Sequence, residues 1–105
     1  MDWKSEIDAA AARIDGHVVQ TPVLHTHGFG LPFPVQMKLE QMQHTGSFKA
    51  RGAFNTMLST SVPEAGLVAA SGGNHGAAVA YAAHALGHRA HIFVPEMAGP
   101  SKIGL

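Results

Sequence analysis

The alternation of apolar and polar residues divides the first half of the chain into three parts. Apolar residues recur at helical spacing from Trp3 to Ile14, which predicts an amphipathic helix over residues 2–14. Residues 18–34 are rich in Pro and Gly but contain many apolar side chains, and we interpret them as an ordered connection. Apolar and polar residues alternate in part over residues 35–42, which predicts a half-buried strand.

The second half of the chain carries the clearest pattern. An apolar stripe predicts a helix over residues 48–59. A short apolar strand at 67–70, an Ala-rich helix at 77–86 that is stopped by Gly87, and an apolar strand at 90–94 follow in that order. Strand, helix and strand of these lengths predict a right-handed βαβ unit on a parallel sheet.

The sheet predicted in this way has few strands. Residues 100–105 have the pattern of the start of a further helix. Since sheets usually contain about 4–6 strands, we expect the chain to be a fragment of a larger α/β protein.

Composition narrows the classes of function. With 46% hydrophobic and 13% charged residues the chain can form a packed core. Its net charge is zero and its seven Lys and Arg residues are scattered, which argues against nucleic-acid binding. The chain has no Cys, which excludes thiol chemistry. No signal peptide and no membrane-spanning run of about 20 apolar residues is visible, so we expect a cytoplasmic location.

The eight histidines are unusually many for a chain of this length, and a metal site is one interpretation of them. His84 and His88 would share a helix face if the helix continued. However, Gly87 is expected to end that helix first, and no carboxylate nearby completes a ligand set. The sequence therefore predicts no metal site.

Lys49 is the first candidate for chemistry. It follows a glycine-containing turn and is expected in the first turn of a helix, where the helix dipole disfavours an ammonium group. Partial burial would act in the same direction, and imine chemistry requires the neutral amine. A solvated lysine at a helix start is the alternative, and position alone does not decide between the two.

The second candidate is the turn Ser71-Gly72-Gly73-Asn74-His75-Gly76 between the strand and the helix of the βαβ unit. Glycines at such a junction leave backbone N–H groups free to bind an anion. The spacing matches neither a dinucleotide fingerprint nor a P-loop, so a carboxylate is the better ligand. A tight turn with glycines for packing alone remains the alternative.

The two motifs together resemble the threonine/serine dehydratase and serine racemase family. They are Ser-Phe-Lys-x-Arg-Gly-Ala from Ser47 to Ala53, and Ser-Gly-Gly-Asn-His-Gly from Ser71 to Gly76. Thr21-Pro22 and Lys38-Leu39-Glu40 also resemble this family. The resemblance implies an incomplete α/β domain of the fold-type II pyridoxal-phosphate enzymes, which are similar to tryptophan synthase β. It also implies a division into residues 1–47, from the larger cofactor domain, and residues 48–105, the start of the smaller α/β domain.

The resemblance also implies roles for individual residues. Lys49 would form the Schiff base with pyridoxal 5'-phosphate, Phe48 would pack near the cofactor, and Asn74 would hydrogen-bond the oxygen of its ring hydroxyl. The substrate carboxylate would be held by the turn that contains Ser71, Gly72, Gly73 and His75.

The implied reaction is dehydration and deamination of L-threonine or L-serine to a 2-oxo acid and ammonia, in a protein that is a homo-oligomer at full length. Racemases of the family carry a second serine where this chain has Gly72, which has no side chain to move a proton, so a dehydratase is favoured. Dehydratases of other hydroxyamino acids are alternatives within the family. A catalytically inactive α/β fragment or anion-binding module, and more weakly a nucleotide-binding domain, are the alternatives from other classes.

Overall fold

The chain opens with helix α1, Trp3–Ile14, as predicted. A computed structural model describes residues 1–97 and 99. The Asp2 carboxylate caps the helix by accepting a hydrogen bond from the Lys4 N–H at 3.1 Å. Ile14 is buried, whereas Trp3 and Ile7 are 69% and 63% exposed, so most of the apolar stripe faces outward in the described part of the chain.

The segment after α1 contains a strand that the sequence did not predict. Strand β1, Val23–Thr26, pairs antiparallel with β2, Val35–Lys38. The prediction for residues 35–42 is correct at its start and wrong at its end, because the Leu39 N–H donates to the Pro22 carbonyl at 3.0 Å and the chain then turns. Two short 3₁₀ turns, Glu40–Met42 and His44–Gly46, follow. Within β2 only the first residue is half-buried, so the expected half-buried strand is largely exposed.

The predicted βαβ unit with parallel strands is confirmed. Helix α2, Lys49–Ser59, leads to strand β3, Leu67–Ala70, then to helix α3, Asn74–Leu86, and strand β4, Ala90–Phe93. Strands β3 and β4 are parallel, and Leu67 pairs with Ala90.

Helix α3 begins at Asn74 rather than at the predicted Ala77. Its C-terminus is as predicted, because Gly87 adopts φ 78° and donates its N–H to carbonyls of the last turn.

The core lies between α2 and α3 and extends to the inner face of the β3–β4 sheet. Small residues on α3 allow close approach of the helix to the sheet, and Gly76 is the tightest point. A Cβ placed there would lie 2.9 Å from Ile92 Cγ2 and 3.2 Å from the Ser71 carbonyl oxygen. Phe54 of α2 is the largest fully buried side chain. The buried hydrophobic residues are Ile14, Ala50, Ala53, Phe54, Met57, Ala78, Val79, Ala82 and Ala83.

Alternate residues of β3 and β4 face away from this core. Val68 is 72% exposed and Phe93 is 65% exposed, so one face of the two-stranded sheet is open in the described residues. The helix start predicted at residues 100–105 lies outside those residues. No helix within residues 1–97 and 99 has the length and apolar character needed to cross a membrane.

Candidate active site around Lys49

Lys49 is the first residue of α2, and the segment before it, residues 43–48, is termed the lysine loop below. The Ser47 hydroxyl accepts a hydrogen bond from the Lys49 N–H at 3.3 Å, so Ser47 supports the start of the helix. The Lys49 Nζ lies 5.1 Å from the centroid of the Phe48 ring. The expectation of partial burial is wrong, because Lys49 is exposed. Its amine is therefore accessible to a ligand.

A cavity of about 470 Å³ opens beside Lys49. Phe48, Lys49 and His75 line it together, and the remaining wall comes from α2, β3 and α3. Gly52 and Thr56, three and seven residues after Lys49 on the helix, share its face and also line the cavity. The wall is mostly apolar, and Lys49 and His75 are its only ionisable groups among the described residues.

The turn before α3 provides the expected anion site only in part. Gly73 precedes the helix without a side-chain cap, so the first N–H groups of α3 have no acceptor within the helix. These groups and the helix dipole favour an anion at this end. The Gly73 N–H itself is already used, because it donates to the Ser71 hydroxyl at 3.2 Å. An incoming carboxylate would have to share or replace that hydrogen bond.

The predicted site residues are divided between two cavities. Phe48, Lys49 and His75 line the first. Ser71 and Gly72 line a second one of about 480 Å³ at the carboxyl ends of β3 and β4. Gly73 and Asn74 belong to the turn that separates these two groups and line neither cavity, and Asn74 is exposed. The turn therefore touches both cavities, while Lys49 faces one of them.

An ion pair between Glu40 and Arg51 lies at the first turn of α2, and no pattern in the sequence indicates it. The Glu40 carboxylate accepts hydrogen bonds from Arg51 Nε at 2.5 Å, from an Arg51 terminal nitrogen at 3.1 Å and from the Thr21 hydroxyl at 2.5 Å. The hydrogen bonds from Arg51 outweigh the opposing effect of burial, and together with Thr21 they lower the pKa of Glu40 from 4.5 to about 2. Its hydrogen bond to Glu40 raises the pKa of Arg51. Lys38 Nζ completes the network by donating to the Thr21 carbonyl at 2.5 Å.

This network brings residues of separate short sequence motifs into contact. Thr21, Lys38 and Glu40 come from the motifs that accompany the lysine motif, and Arg51 lies two residues after Lys49. These residues resemble the family, but nothing in the sequence signals that they are in contact, since 11 residues separate Glu40 from Arg51. The contact anchors the first turn of α2 to the β1–β2 hairpin region.

Two further contacts hold the lysine loop. The Gln43 side chain pairs with the backbone of Val19, accepting from its N–H at 2.9 Å and donating to its carbonyl at 2.8 Å. The His44 ring stacks on Tyr81 of α3 with a centroid distance of 4.6 Å. Both Gln43 and Ser47 are buried although they are polar. Gln43 and His44 thus hold the loop on the N-terminal side of Thr45, which adopts φ 60°.

The residues present fit part of pyridoxal phosphate. An exposed lysine amine beside an open, mostly apolar cavity suits an aromatic aldehyde. The described lining contains no cationic side chain other than Lys49, so it offers no separate partner for a phosphate group. The cavity therefore accommodates the aldehyde-bearing ring, and the phosphate needs groups from elsewhere. No cluster of three metal-ligating side chains occurs in the part of the chain that the structure describes.

This fold and site define part of an α/β domain of the fold-type II pyridoxal-phosphate enzymes. Residues 14–105 match the model of the family described as pyridoxal-phosphate dependent enzyme, and the chain belongs to that family. The cofactor of the family is pyridoxal phosphate, as the sequence motifs implied.

Curated relatives and solved structures agree with this assignment. The chain is 40% identical over 103 residues to L-threonine ammonia-lyase of Geobacter sulfurreducens, covering 92% of this chain and 25% of the relative. It is 40% identical over 106 residues to phenylserine dehydratase of Ralstonia pickettii, covering 96% of this chain and 32% of the relative. Maize serine racemase superposes with a TM-score of 0.85 at 36% identity, covering 95% of this chain and 32% of that one. The chain thus spans a third or less of these proteins.

Proposed function

We propose that the full-length protein is a pyridoxal-phosphate-dependent ammonia-lyase that converts L-threonine or L-serine to a 2-oxo acid and ammonia, with Lys49 as the lysine that binds the cofactor. The observation that carries the proposal is the cavity of about 470 Å³ that Phe48 and Lys49 share with His75. One residue of the second sequence motif, His75, thus lines the same cavity as two residues of the first motif. Family membership and the relatives named above support the same class of reaction.

Lys49 has two tasks in this proposal. Its Nζ would hold the cofactor aldehyde covalently with loss of water, and once the substrate amine had taken its place the free Lys49 amine would accept the α-proton of the substrate as a general base. The bound cofactor supplies an electron sink for the charge left on the α-carbon. Phe48 supports the first task, because its ring lies 5.1 Å from the amine and can pack against a cofactor ring. Asn74, at the start of α3, is proposed to hydrogen-bond the cofactor's ring hydroxyl oxygen.

The turn before α3 is proposed to bind the substrate carboxylate. The uncapped N-terminus of α3 supports this role, since its backbone N–H groups and dipole attract an anion. Ser71, Gly72, Gly73 and His75 supply the hydroxyl and the amides. Binding would exchange the hydrogen bond between Gly73 and Ser71 for bonds to the carboxylate.

Gly72 favours a lyase over a racemase. Inversion at the α-carbon needs a second proton donor on the opposite face of the substrate from Lys49, and glycine offers no such group. The proposal covers hydroxyamino acids with different side chains. The relative named phenylserine dehydratase and the relative named L-threonine ammonia-lyase are both 40% identical to this chain.

The remaining parts of the proposal concern the whole protein. We propose that residues 1–47 belong to the larger cofactor domain and residues 48–105 to the smaller one, acting together in a cytoplasmic homo-oligomer. The β1–β2 hairpin in the first range and the βαβ unit in the second support two separate sheets.

Reductive trapping tests the role of Lys49. The chain is incubated with pyridoxal phosphate, reduced with borohydride, and analysed by intact mass and peptide mapping. We expect one adduct, located on Lys49 and lost in Lys49→Ala. The matched control is Lys4→Ala, which removes an exposed lysine of α1 and should leave the adduct unchanged.

The contrary result is labelling scattered over several lysines, or none at all. This outcome would favour a non-catalytic α/β module that binds an anion or a partner. With a single adduct on Lys49, assays of 2-oxo acid release from L-threonine and L-serine test the reaction, and racemisation of L-serine without ammonia release would contradict the lyase assignment.

A further inference from the structure

A chain of four aromatic rings runs from the lysine loop into the core. His44 stacks on Tyr81 with centroids 4.6 Å apart and ring planes inclined by 23°. Tyr81 meets Phe54 edge-on at 6.2 Å and 77°. Phe54 in turn lies 5.5 Å from the ring of His17, with the planes tilted by 32°. Offset stacked and edge-on pairs at these distances are the favourable aromatic geometries.

Tyr81 is the link between three elements. It lies on α3 seven residues after Asn74, two turns along the same helix face. Its partner Phe54 lies on α2, the helix that begins at Lys49, and is 1% exposed. Its other partner, His44, belongs to the lysine loop. The Tyr81 ring, which belongs to the helix that follows the predicted substrate turn, therefore contacts both the loop before Lys49 and the helix that begins at Lys49.

The backbone of the lysine loop needs such support. Thr45 follows His44 and adopts φ 60° and ψ 11°, a conformation that β-branched residues rarely take. Backbone of this kind persists only where its surroundings hold it. Gln43 is fixed on the side before it by two hydrogen bonds to Val19. The ring contact of His44 with Tyr81 is the link that ties this part of the loop to α3.

We propose that His44 is a positioning residue for Lys49, and that its stack on Tyr81 fixes the lysine loop relative to the start of α3. The inference rests on the proposed function in taking Lys49 as the lysine that binds the cofactor. Loss of the stack leaves the fold intact, because Tyr81 is already 39% exposed. It frees the loop to carry Lys49 away from the cavity that Lys49 shares with His75.

The first test measures how selectively Lys49 reacts. Pyridoxal phosphate and borohydride are applied to His44→Ala, to His44→Phe, which keeps a stacking ring, and to His84→Ala, which removes an exposed histidine of α3. The readout is the ratio of adduct on Lys49 to adduct on Lys4, at a temperature where every variant is folded. We expect the ratio to fall about fivefold in His44→Ala, as the strength of one aromatic pair allows. It should recover in His44→Phe and stay unchanged in His84→Ala.

A second readout does not depend on the cofactor. Backbone amide signals of Lys49 and Asn74 are compared by NMR in the same variants, and we expect both to shift in His44→Ala and to return toward wild type in His44→Phe. Shifts confined to residues next to His44, or a labelling ratio unchanged in His44→Ala, would overturn the inference. If the wild-type chain labels Lys4 as readily as Lys49, the proposed role of Lys49 fails, and the amide shifts alone decide whether the stack positions the loop.

Discussion

Replacing Glu40 by Gln tests the network that anchors the first turn of α2. The substitution keeps the shape of the side chain and removes its charge. In the wild-type chain this carboxylate receives three hydrogen bonds, two from Arg51 and one from Thr21. Its side chain is 15% exposed and that of Arg51 is 33% exposed, so water screens the pair only in part. The variant leaves the guanidinium without an anionic partner.

The pKa of Glu40 determines how much folding stability Glu40→Gln removes and how this loss depends on pH. A fall in the pKa of Glu40 from 4.5 to about 2 corresponds to at most about 3 kcal/mol of folding stability. Partial exposure reduces this, and we expect a loss of about 2 kcal/mol for Glu40→Gln at pH 7. Because the pKa is lowered in the folded state, the wild-type contribution is complete above pH 4.5 and disappears as the pH falls through about 2. The two proteins should therefore converge in acid.

Urea denaturation followed by circular dichroism between pH 7 and pH 2 measures both effects. Glu64→Gln is the matched control, because Glu64 is exposed and forms no ion pair among the described residues. It should change the free energy of unfolding by less than about 0.5 kcal/mol. A difference in the free energy of unfolding between wild type and Glu40→Gln that stays constant from pH 7 to pH 2 would refute the reasoning. Such a difference would come from a contact that does not depend on the charge of Glu40.

Two glycines give opposite predictions for the same substitution. Gly76→Ala places a Cβ 2.9 Å from Ile92 Cγ2, so we expect it to move α3 off the sheet and to lower the free energy of unfolding in urea by about 1–3 kcal/mol. Gly52→Ala lies inside α2 with no atom within 4 Å of the new Cβ, so we expect a gain of about 0.5–1 kcal/mol in the same assay. A loss in Gly52→Ala, or no change in Gly76→Ala, would contradict the packing described here.

The sequence predicted the βαβ unit well because its signals are local. Apolar runs of strand length flank an Ala-rich helix, and Gly87 ends that helix with the positive φ expected of it. The sequence pattern predicts the start of α3 three residues too late, at Ala77 instead of Asn74, since Asn74 and the glycines around it are typical of turns. The helix begins at Asn74 because it packs on the sheet through Gly76. Packing of this kind leaves no periodic pattern at the first turn.

Strand β1 was missed for a different reason. Its four residues are exposed or half-buried, so no alternation of apolar and polar positions marks it. Strand β1 is stabilised by its backbone hydrogen bonds to β2, and no pattern in the sequence indicates that these two segments pair. The end of β2 was also misplaced, because the hydrogen bond from Leu39 to Pro22 and the side chain of Gln43 turn the chain away from the sheet.

Lys49 and the turn from Ser71 to His75 could be proposed from sequence because each motif is contiguous. The supporting contacts could not, since Glu40 with Arg51 and His44 with Tyr81 are pairs made by the tertiary fold. No spacing rule for helices or strands links their positions.

These supporting contacts affect how the chain would bind pyridoxal phosphate. Gln43, His44 and Ser47 hold the lysine loop through contacts made within the chain itself, and these contacts restrict its conformations. An ordered loop reduces the entropy lost on binding. The cavity nevertheless lacks a cationic partner for phosphate in its described lining. As far as the described residues determine it, labelling would then depend on the bond to Lys49 rather than on a phosphate contact, and 5'-deoxypyridoxal, which has the same aldehyde but no phosphate and no hydroxyl able to close onto the aldehyde, should label Lys49 nearly as well as pyridoxal phosphate does.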